Sequence, residues 1–327
     1  MNTVAKWLHR LGVVFLASLA FAALPALAAD KYPDKPIRLM VSYPPGGATD
    51  FQARIVTMMA DNYLGQPVVI INKAGAGGQV GWNWFATDAT HDGYDLAAYN
   101  LPHFIAQSIV FDTKYNIDNV VPIANWGADP AVLIVGKDSP LNSIKDFVEY
   151  AKKNPGKITV SGAGLYVGHH IATLQLEKAA NIKLTYVPAK GGVAALQMVM
   201  GGQVMAGFNN LSDAYRNQDR IKILGVADNE RNKEFLPNVP TFKEDGIDVD
   251  DTSVNFRGVM VPKGTPQADI ALLSKEVPKM FDDKKVQGKM KAGGAPLKIM
   301  DHEQVVKMFH ARQKYLEALL KELRHKK

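Results

Sequence analysis

One stretch decides the fold of this 327-residue chain: Val41-Ser42-Tyr43-Pro44-Pro45-Gly46-Gly47-Ala48-Thr49-Asp50. The apolar run before it predicts a β-strand, which the two prolines end because proline donates no ladder hydrogen bond. Apolar residues then recur at helical spacing: Phe51, Ile55, Met58 and Met59. This spacing predicts a helix that buries all four side chains. The stretch therefore predicts a strand, a glycine turn and a helix N-terminus in succession.

The start of this helix has the properties of an anion site. Asp50 lies in the predicted first turn, where a carboxylate suits the helix dipole, and Arg54 follows four residues later and is expected to pair with it. A helix N-terminus leaves backbone N–H groups without partners, and such groups bind anions. The alternative is an ordinary strand-to-helix connection, and the shape of the stretch alone leaves both interpretations open.

Composition places the chain among soluble globular proteins, with 47% hydrophobic and 21% charged residues. The formal net charge is +6, without the concentrated basic stripe of a nucleic-acid-binding protein, so we expect no nucleic acid as a partner. The chain has no cysteine, which excludes thiol catalysis and thiolate metal sites.

The first 29 residues predict a secretory signal peptide. Lys6 and Arg10 form a basic start, residues 11–24 are mainly apolar, and Ala26-Leu27-Ala28 is a small-residue cleavage motif. The apolar run is too short to span a bilayer well. We therefore expect cleavage after Ala28 or Ala29 and an exported protein.

The remainder of the chain repeats the order of strand, glycine loop and helix. Residues 68–71 predict a buried strand, Gly75-Ala76-Gly77-Gly78 follows, and a second helix is expected near Gln79. The next strand, 94–99, ends at Asn100-Leu101-Pro102-His103. In open α/β sheets ligands bind along the carboxyl ends of strands, so these loops are candidate binding segments.

Two lobes are expected from this order. Residues 120–125 and 131–135 predict two strands, and the segment between them is taken as the crossing from one lobe to the other. The end of the chain is predicted to be helical, with a capping box at Asp301-His302-Glu303-Gln304. If these last helices fold back on the first lobe, that lobe is discontinuous and comprises residues 30–127 and 254–327, and the second lobe comprises 128–253.

Several short motifs in order resemble a known family. They are Pro36-Ile37-Arg38, the stretch from Tyr43 to Asp50, Gly65-Gln66-Pro67-Val68-Val69, Asn72 with residues 75–78, Asp92-Gly93-Tyr94, Gly201-Gly202-Gln203-Val204, Val239-Pro240-Thr241-Phe242 with Glu244 and Gly246, and Val261-Pro262-Lys263-Gly264-Thr265-Pro266. Together they resemble the Bug family, the periplasmic solute-binding proteins of tripartite tricarboxylate transporters. The resemblance covers essentially the whole chain after the signal peptide.

The resemblance implies a type II periplasmic-binding-protein fold, in which two α/β lobes joined by a hinge close on a small carboxylic acid in the cleft between them. It also implies a di- or tricarboxylate or aromatic carboxylate as ligand, integral-membrane transporter subunits as partners, a monomer, and no cofactor. The residues expected to contact ligand are Tyr43, Gly46, Gly47, Ala48, Thr49, Asp50, Asn100, His103, Ser161, Gly162, Gly164, Tyr166, His170, Lys190 and Asn209.

The chain departs from the family pattern at two places. Aligned on His170, the pattern Gly-x-Gly-Ser-x-x-His has its second glycine replaced by Tyr166 and its serine by Val167, so the Tyr166 hydroxyl is a candidate contact. Asn209 stands where many relatives carry aspartate. Because a neutral amide is a poor partner for an ammonium group, we hypothesise a ligand without an amino group.

Other functions remain as alternatives. His169-His170 suggests a metal, but neighbours on a helix do not share a face, and we predict no metal site. The glycine loops lack the Gly-Lys-Ser/Thr ending of a phosphate loop and the Gly-x-Ser-x-Gly elbow of a hydrolase, so an exported enzyme is the weaker alternative. Lys190 attracts an anion or is merely solvated. A periplasmic sensor that feeds a membrane receptor would use the same fold.

Overall fold

The computed structural model describes residues 32–324 of the chain. The description that follows concerns the unit that begins at Lys35. The predicted signal peptide lies outside the described residues, as do residues 325–327. Within the described part of the chain no helix is both long and apolar enough to cross a membrane.

This unit is built from eleven labelled strands and eleven labelled helices. The strands are β1 (Ile37–Val41), β2 (Val68–Asn72), β3 (Asp95–Leu101), β4 (Val120–Asp129), β5 (Ala131–Gly136), β6 (Thr159–Gly162), β7 (Thr185–Pro188), β8 (Ala206–Asn210), β9 (Ile221–Ala227), β10 (Asn255–Pro262) and β11 (Leu297–Met300). The helices are α1 (Ala48–Val56), α2 (Ala60–Leu64), α3 (Gln79–Asp88), α4 (His103–Val110), α5 (Ile144–Lys153), α6 (Gly168–Ala180), α7 (Gly192–Met200), α8 (Leu211–Tyr215), α9 (Gln267–Phe281), α10 (Lys284–Ala292) and α11 (His302–Arg324).

The strands form two mixed sheets. The six-stranded sheet has the order β11-β4-β10-β3-β1-β2, in which β1 pairs parallel to β2 and β3 and β10 pairs antiparallel to β3 and β4. The five-stranded sheet has the order β7-β6-β8-β5-β9, in which β6 is parallel to β7 and β8 and β5 is antiparallel to β8 and β9. The predicted α/β class is confirmed.

The chain passes from the first sheet to the second through Pro130, which separates β4 from β5. It returns to the first sheet between β9 and β10. The second sheet has apolar side chains packed on both faces, with Phe147 and Phe208 in one cluster and Leu196 and Leu211 in the other. Helices therefore cover both faces, as a largely buried mixed sheet requires.

Two expectations about strands are wrong. β4 does not stop at Asn125 but continues to Asp129, because it pairs with β10 as far as the Asn255 position. The end of the chain is not only helical, since β11 lies between α10 and α11 and joins the first sheet, and β10, which the sequence interpretation did not predict, joins it as well. The buried apolar run 258–261 in β10 was the available signal for a strand.

The expected apolar stripe of the first helix is also wrong. The helix breaks after α1, where the Thr57 hydroxyl donates to the Ala53 carbonyl at 2.8 Å, and Met58 is 41% exposed. The buried face instead carries Gln52, whose amide oxygen accepts from Trp126 Nε1 at 3.0 Å. The inward face of α1 is therefore partly polar, because it packs against polar groups such as the indole N–H of Trp126.

Side-chain hydrogen bonds cap the starts of α5 and α11. Ser143 Oγ accepts from the Asp146 amide at 3.0 Å at the start of α5. Asp301 and Gln304 exchange side-chain-to-amide hydrogen bonds of 2.9 and 3.1 Å before α11, which confirms the capping box. Pro266 is the N-cap of α9.

Candidate functional site

A cavity of about 180 Å³ lies between loops that follow strands of both sheets. Seven of the residues predicted to contact ligand line it: Tyr43, Gly47, Ala48, Thr49, Asn100, His103 and Lys190. They come from the β1–α1 loop, from the end of β3 and the start of α4, and from the β7–α7 loop. The cavity therefore sits at the carboxyl ends of strands, where α/β folds bind ligands.

Eight predicted residues are not part of the lining of this cavity: Gly46, Asp50, Ser161, Gly162, Gly164, Tyr166, His170 and Asn209. The structure gives several of them a different role. Asp50 accepts from the Gly46 amide and from Asn72 Nδ2, both at 2.9 Å, and pairs with Arg54 at 2.9 Å. The predicted pairing of Arg54 with Asp50 is thereby confirmed. Asp50 stabilises the β1–α1 loop through these hydrogen bonds.

The loop 161–170 is held by its own contacts and by those of Tyr186. Ser161 Oγ donates to the Ala195 carbonyl at 2.8 Å, and the Tyr186 hydroxyl donates to the Gly164 carbonyl at 2.7 Å. A Cβ on Gly162 would meet that same hydroxyl, so this glycine makes room for Tyr186.

Tyr166 and His170 stabilise the shape of this loop. Tyr166 has a φ of +53°, and its amide donates to His170 Nδ1 at 3.1 Å. The Tyr166 ring makes edge contacts with His170 and with Phe111, and the His170 ring packs against Tyr186. A contact between the Tyr166 hydroxyl and a ligand stays a prediction.

Asn209 lies behind the start of α7. Its Nδ2 donates to the Gly192 carbonyl at 3.0 Å and its Oδ1 accepts from the Asn210 amide at 2.9 Å. The neighbouring Asn210 and the buried Asp213 line the cavity instead. The hypothesis of a ligand without an amino group therefore stays a prediction.

The sequence interpretation missed several residues that line the cavity: Gly192, Gln197, Asn210, Asp213 and Asn255. Ala163 and His169 also line it, and both belong to the loop from Ser161 to His170 that the resemblance implied as the second binding loop. Gly191-Gly192 before an apolar helix was a usable signal, since it has the same form as Gly46-Gly47 before α1. Asn255 gave no local signal, because it starts a strand that the sequence interpretation did not predict.

Two helices of nine residues each, α1 and α7, begin at the cavity from opposite sides. Their N-cap residues, Gly47 and Gly191, have no side chain to satisfy the first amides. The loops approach closely here, since a Cβ on Gly47 would lie 3.9 Å from Val193 and one on Gly191 would lie 3.2 Å from Pro44. Two positive helix ends therefore face one small volume.

Two buried histidines line the cavity as neutral donors. Burial lowers the pKa of His103 well below its usual 6.5 and lowers that of His169 to about 4. His103 Nε2 accepts from the Gly168 amide at 3.4 Å, and His169 Nδ1 accepts from the Ala163 amide at 3.1 Å. Since a neutral imidazole carries its proton on the other nitrogen, His103 Nδ1 and His169 Nε2 are N–H donors.

Neither of these nitrogens has a partner within hydrogen-bond distance among the described residues, and the Asn210 side chain lies near His169. Asn100 Oδ1, on a third residue that lines the cavity, likewise has no such partner among these residues. Buried polar atoms are normally paired, so three unpaired ones around one cavity indicate a site that a polar ligand or water completes.

Beneath the cavity lies a buried network centred on Arg257. Its guanidinium donates to Asp129 Oδ2 at 2.7 Å, to Asn210 Oδ1 at 2.9 Å and to Thr49 Oγ1 at 3.1 Å. These partners come from β4, β8 and α1, so the network joins both sheets below the cavity. The positive charge of Arg257 also contributes to the lowered pKa values of His103 and His169.

A second cavity of about 660 Å³ shares part of its lining with the first. It is lined by the glycine loop 75–78 together with Phe111, Leu165 and Gly164, and it shares Tyr43 and Lys190 with the smaller cavity. Among the described residues no group of three or more His, Asp or Glu side chains is arranged to hold a metal ion.

Comparison with known proteins places this geometry in context. The model of the tripartite tricarboxylate transporter family receptor matches residues 52–324. The UPF0065 protein in the gbd 5' region of Cupriavidus necator is 35% identical over 271 residues, which are 81% of either chain.

Two solved structures are also similar. The periplasmic binding protein BugD has a TM-score of 0.82 at 29% identity, covering 89% of this chain and 98% of its own. MatC from Rhodopseudomonas palustris with bound malate has a TM-score of 0.80 at 26% identity, covering 88% of this chain and 99% of its own.

Proposed function

This chain belongs to the tripartite tricarboxylate transporter receptor family, and from this premise we propose that it captures a small carboxylate in the cavity between its two sheets and delivers it to a membrane transporter. The fold is the type II periplasmic-binding-protein fold of its structural neighbours. The malate in MatC supports a carboxylic acid as ligand here as well.

The convergence of N–H donors on one small cavity carries the proposal. The amino ends of α1 and α7 meet there, His103 and His169 add two unpaired N–H groups, and Arg257 lies buried below. All of these groups favour an anion, and none requires a charged side chain at the surface of the cavity. A cavity of about 180 Å³ suits an acid of few atoms.

Closure of two lobes would complete the site. We propose that residues 30–127 with 254–327 form one lobe and residues 128–253 the other, so that the ligand contacts both only when they are together. Supporting contacts already bridge the loops, since Gln107 Nε2 donates to the Leu165 carbonyl at 3.0 Å and to the Gly77 carbonyl at 3.3 Å.

We further propose that the protein is a periplasmic monomer with a cleaved signal peptide, that it hands its ligand to integral-membrane transporter subunits, and that it leaves the ligand chemically unchanged. The family and the structural neighbours are binding proteins, which supports a binding role. Eight further residues stay predicted ligand contacts: Gly46, Asp50, Ser161, Gly162, Gly164, Tyr166, His170 and Asn209.

Thermal unfolding of the protein purified from bacterial periplasm tests the function. A ligand that binds only the folded state raises the melting temperature, by an amount that grows with its concentration over Kd. We expect mono-, di- or tricarboxylates to raise it and the corresponding amides to have no effect. A panel in which no carboxylate raises it would contradict the proposal, as would chemical conversion of a bound acid.

A further inference from the structure

The buried network around Arg257 determines the orientation of three asparagine side chains, that is, which partner faces the amide oxygen and which faces the amide nitrogen. A guanidinium donates hydrogen bonds and cannot accept them, so the atom of Asn210 that lies 2.9 Å from Arg257 Nη2 must be its oxygen. The nitrogen of the same amide is then turned to Asp213 Oδ2, at 3.3 Å, which is an acceptor. Arg257 and Asp213 together set the orientation of Asn210.

This orientation is passed along two further amides. Asn255 must present its nitrogen to Asn210 Oδ1, at 3.4 Å, and so turns its oxygen to Asn100. Asn100 in turn must present its nitrogen, which lies 3.1 Å from Asn255 Oδ1. Asn100 Oδ1 is therefore the last atom in this series of hydrogen-bonded amides, and it is buried and has no partner among the described residues.

The same arginine also orients the hydroxyl group of Thr49, but it leaves a donor there rather than an acceptor. Its Oγ1 accepts from Arg257 Nε at 3.1 Å and from Asn100 Nδ2 at 2.8 Å. Neither bond uses the hydroxyl proton of Thr49, which is left for an acceptor in the cavity that Thr49 lines. The site thus offers a hydroxyl donor at Thr49 and an amide acceptor at Asn100, on adjacent side chains.

We propose that Asn100 Oδ1 accepts a hydrogen bond from a hydroxyl group of the ligand while Thr49 donates to its carboxylate, so that the ligand is a 2-hydroxycarboxylic acid. This inference rests on the proposed function and adds the specificity of the same site. An acid without the hydroxyl leaves the buried Asn100 oxygen unpaired, and sites built to bond a hydroxyl discriminate strongly against analogues that lack it.

A hydroxyl fits this acceptor better than an ammonium group. The guanidinium of Arg257 is already paired with Asp129, so neither group is free to bind an ammonium group, and Lys190 adds a positive side chain to the lining of the cavity. Asp213 also lines the cavity, but its two oxygens are already engaged by Arg216 Nη2 and by Asn210 Nδ2. A neutral donor needs no counter-charge.

Isothermal titration with matched pairs of acids tests the inference. The pairs are propionate and lactate, succinate and malate, and phenylacetate and mandelate, with both enantiomers of each hydroxy acid and with aspartate as the amino analogue. In at least one pair we expect the hydroxy acid to bind at least about tenfold more tightly than its partner, since one buried hydrogen bond of about 1.5 kcal/mol corresponds to that factor.

Asn100→Leu should reduce that ratio to about twofold or less, because leucine fills a similar volume without the acceptor. Asn125→Leu is the matched control, since Asn125 is equally buried but bonds the Gly127 and Lys298 carbonyls outside the cavity, and its ratio should stay that of the wild type. If either variant fails to fold, the ratio of hydroxy-acid to deoxy-acid affinity measured on the wild-type protein still tests the inference.

Three results separate the two proposals. If carboxylates bind but the hydroxy acid and its partner without the hydroxyl have equal affinities in every pair, this inference is overturned and the proposed function stays intact. Aspartate binding more tightly than malate would reassign the acceptor to an ammonium group and overturn it as well. If no carboxylate binds at all, the proposed function fails and this inference falls with it.

Discussion

Arg257 Nη1 lies 2.7 Å from Asp129 Oδ2, and both side chains are fully buried. Arg257 is on β10, whereas Asp129 is the last residue of β4, directly before the chain crosses to β5 in the other sheet. Asp129 Oδ1 also accepts from the Ser212 amide at 3.1 Å, which belongs to α8 beyond the second sheet. The ion pair therefore joins two neighbouring strands of the first sheet, and the bonds from Ser212 to Asp129 and from Arg257 to Asn210 connect this pair to α8 and β8 at the crossing below the cavity.

We expect Arg257→Met to lower the free energy of unfolding by about 3–5 kcal/mol, because it leaves Asp129 buried without its positive partner. Urea unfolding followed by circular dichroism measures this loss. Lys307→Met is the matched control: its ion pair with Glu303 is exposed on α11, and we expect no measurable change. Equal effects of the two substitutions would show that the buried pair has no special part in stability.

The sequence predicts those parts of the site that lie within one short segment, but not those that depend on pairing between distant segments. Strand, glycine turn and helix at residues 41–50 were readable because each signal lies within a few residues of the next. The positions of Asn255 and Arg257 were not, since they follow from the pairing of β10 with β3 and β4, which lie more than a hundred residues earlier. Tertiary pairing of this kind leaves no periodic trace in one sequence.

The second binding loop shows the same limit. The family pattern directed attention to residues 161–170, but in the structure Tyr186 occupies the space beside Gly162, and its hydroxyl holds Gly164. The cavity is lined instead by residues 190–194 at the start of α7, with only Ala163 and His169 from the expected loop. Tyr186 comes from β7, the strand paired with β6, and no local sequence rule predicts that its side chain packs against this loop.

Thr49→Val should weaken carboxylate binding at least about tenfold, because valine keeps the shape of threonine but has no hydroxyl to donate. It also leaves Arg257 Nε without its acceptor and Asn100 Nδ2 with Asn255 Oδ1 alone, so we expect a loss of about 1–3 kcal/mol in unfolding free energy. Thr49→Ser retains the hydroxyl and should keep both affinity and most of the stability. Calorimetric affinities and urea unfolding of the two variants provide the comparison; similar affinities would exclude the hydroxyl as a ligand contact.

Gly47→Val should lower affinity far more than it lowers stability. A Cβ at this position makes only ordinary contacts, 3.5 Å from the Pro44 carbonyl and 3.9 Å from Val193, and the Gly47 φ of −72° is open to any residue. Gly47→Ala should therefore be nearly neutral. The additional methyl groups of valine would lie against Val193 across the cavity and hold the loops apart.

Ligand titration and thermal unfolding of the alanine and valine variants separate these effects. The expected pattern is a normal melting temperature for both variants without ligand and a lost ligand-induced rise for valine alone. If valine lowers the melting temperature as much as it lowers affinity, the loop has only a structural role.

Stability should fall as the solution becomes acidic below the ordinary histidine range. The pKa of His169 is about 4 in the folded protein and 6.5 when unfolded, because burial disfavours the charged imidazole. Above pH 6.5 both states are neutral and this residue contributes no pH dependence. Between pH 6.5 and 4 the unfolded state binds a proton that the folded state does not, so unfolding becomes easier by up to about 1.4 kcal/mol per pH unit for each such residue.

His103 acts in the same direction, because burial lowers its pKa as well. Urea unfolding at intervals between pH 4 and 7 measures the slope, and His169→Gln should make it shallower by about one proton, since glutamine does not titrate. His310→Gln is the control, because His310 is exposed on α11. Carboxylates add their own slope at low pH, but they do so equally in wild type and variants, so the difference isolates the histidine. An unchanged slope in His169→Gln, or an equal change in His310→Gln, would mean that His169 takes up its proton in the folded state, and the neutral N–H donor assigned to the cavity would then be wrong.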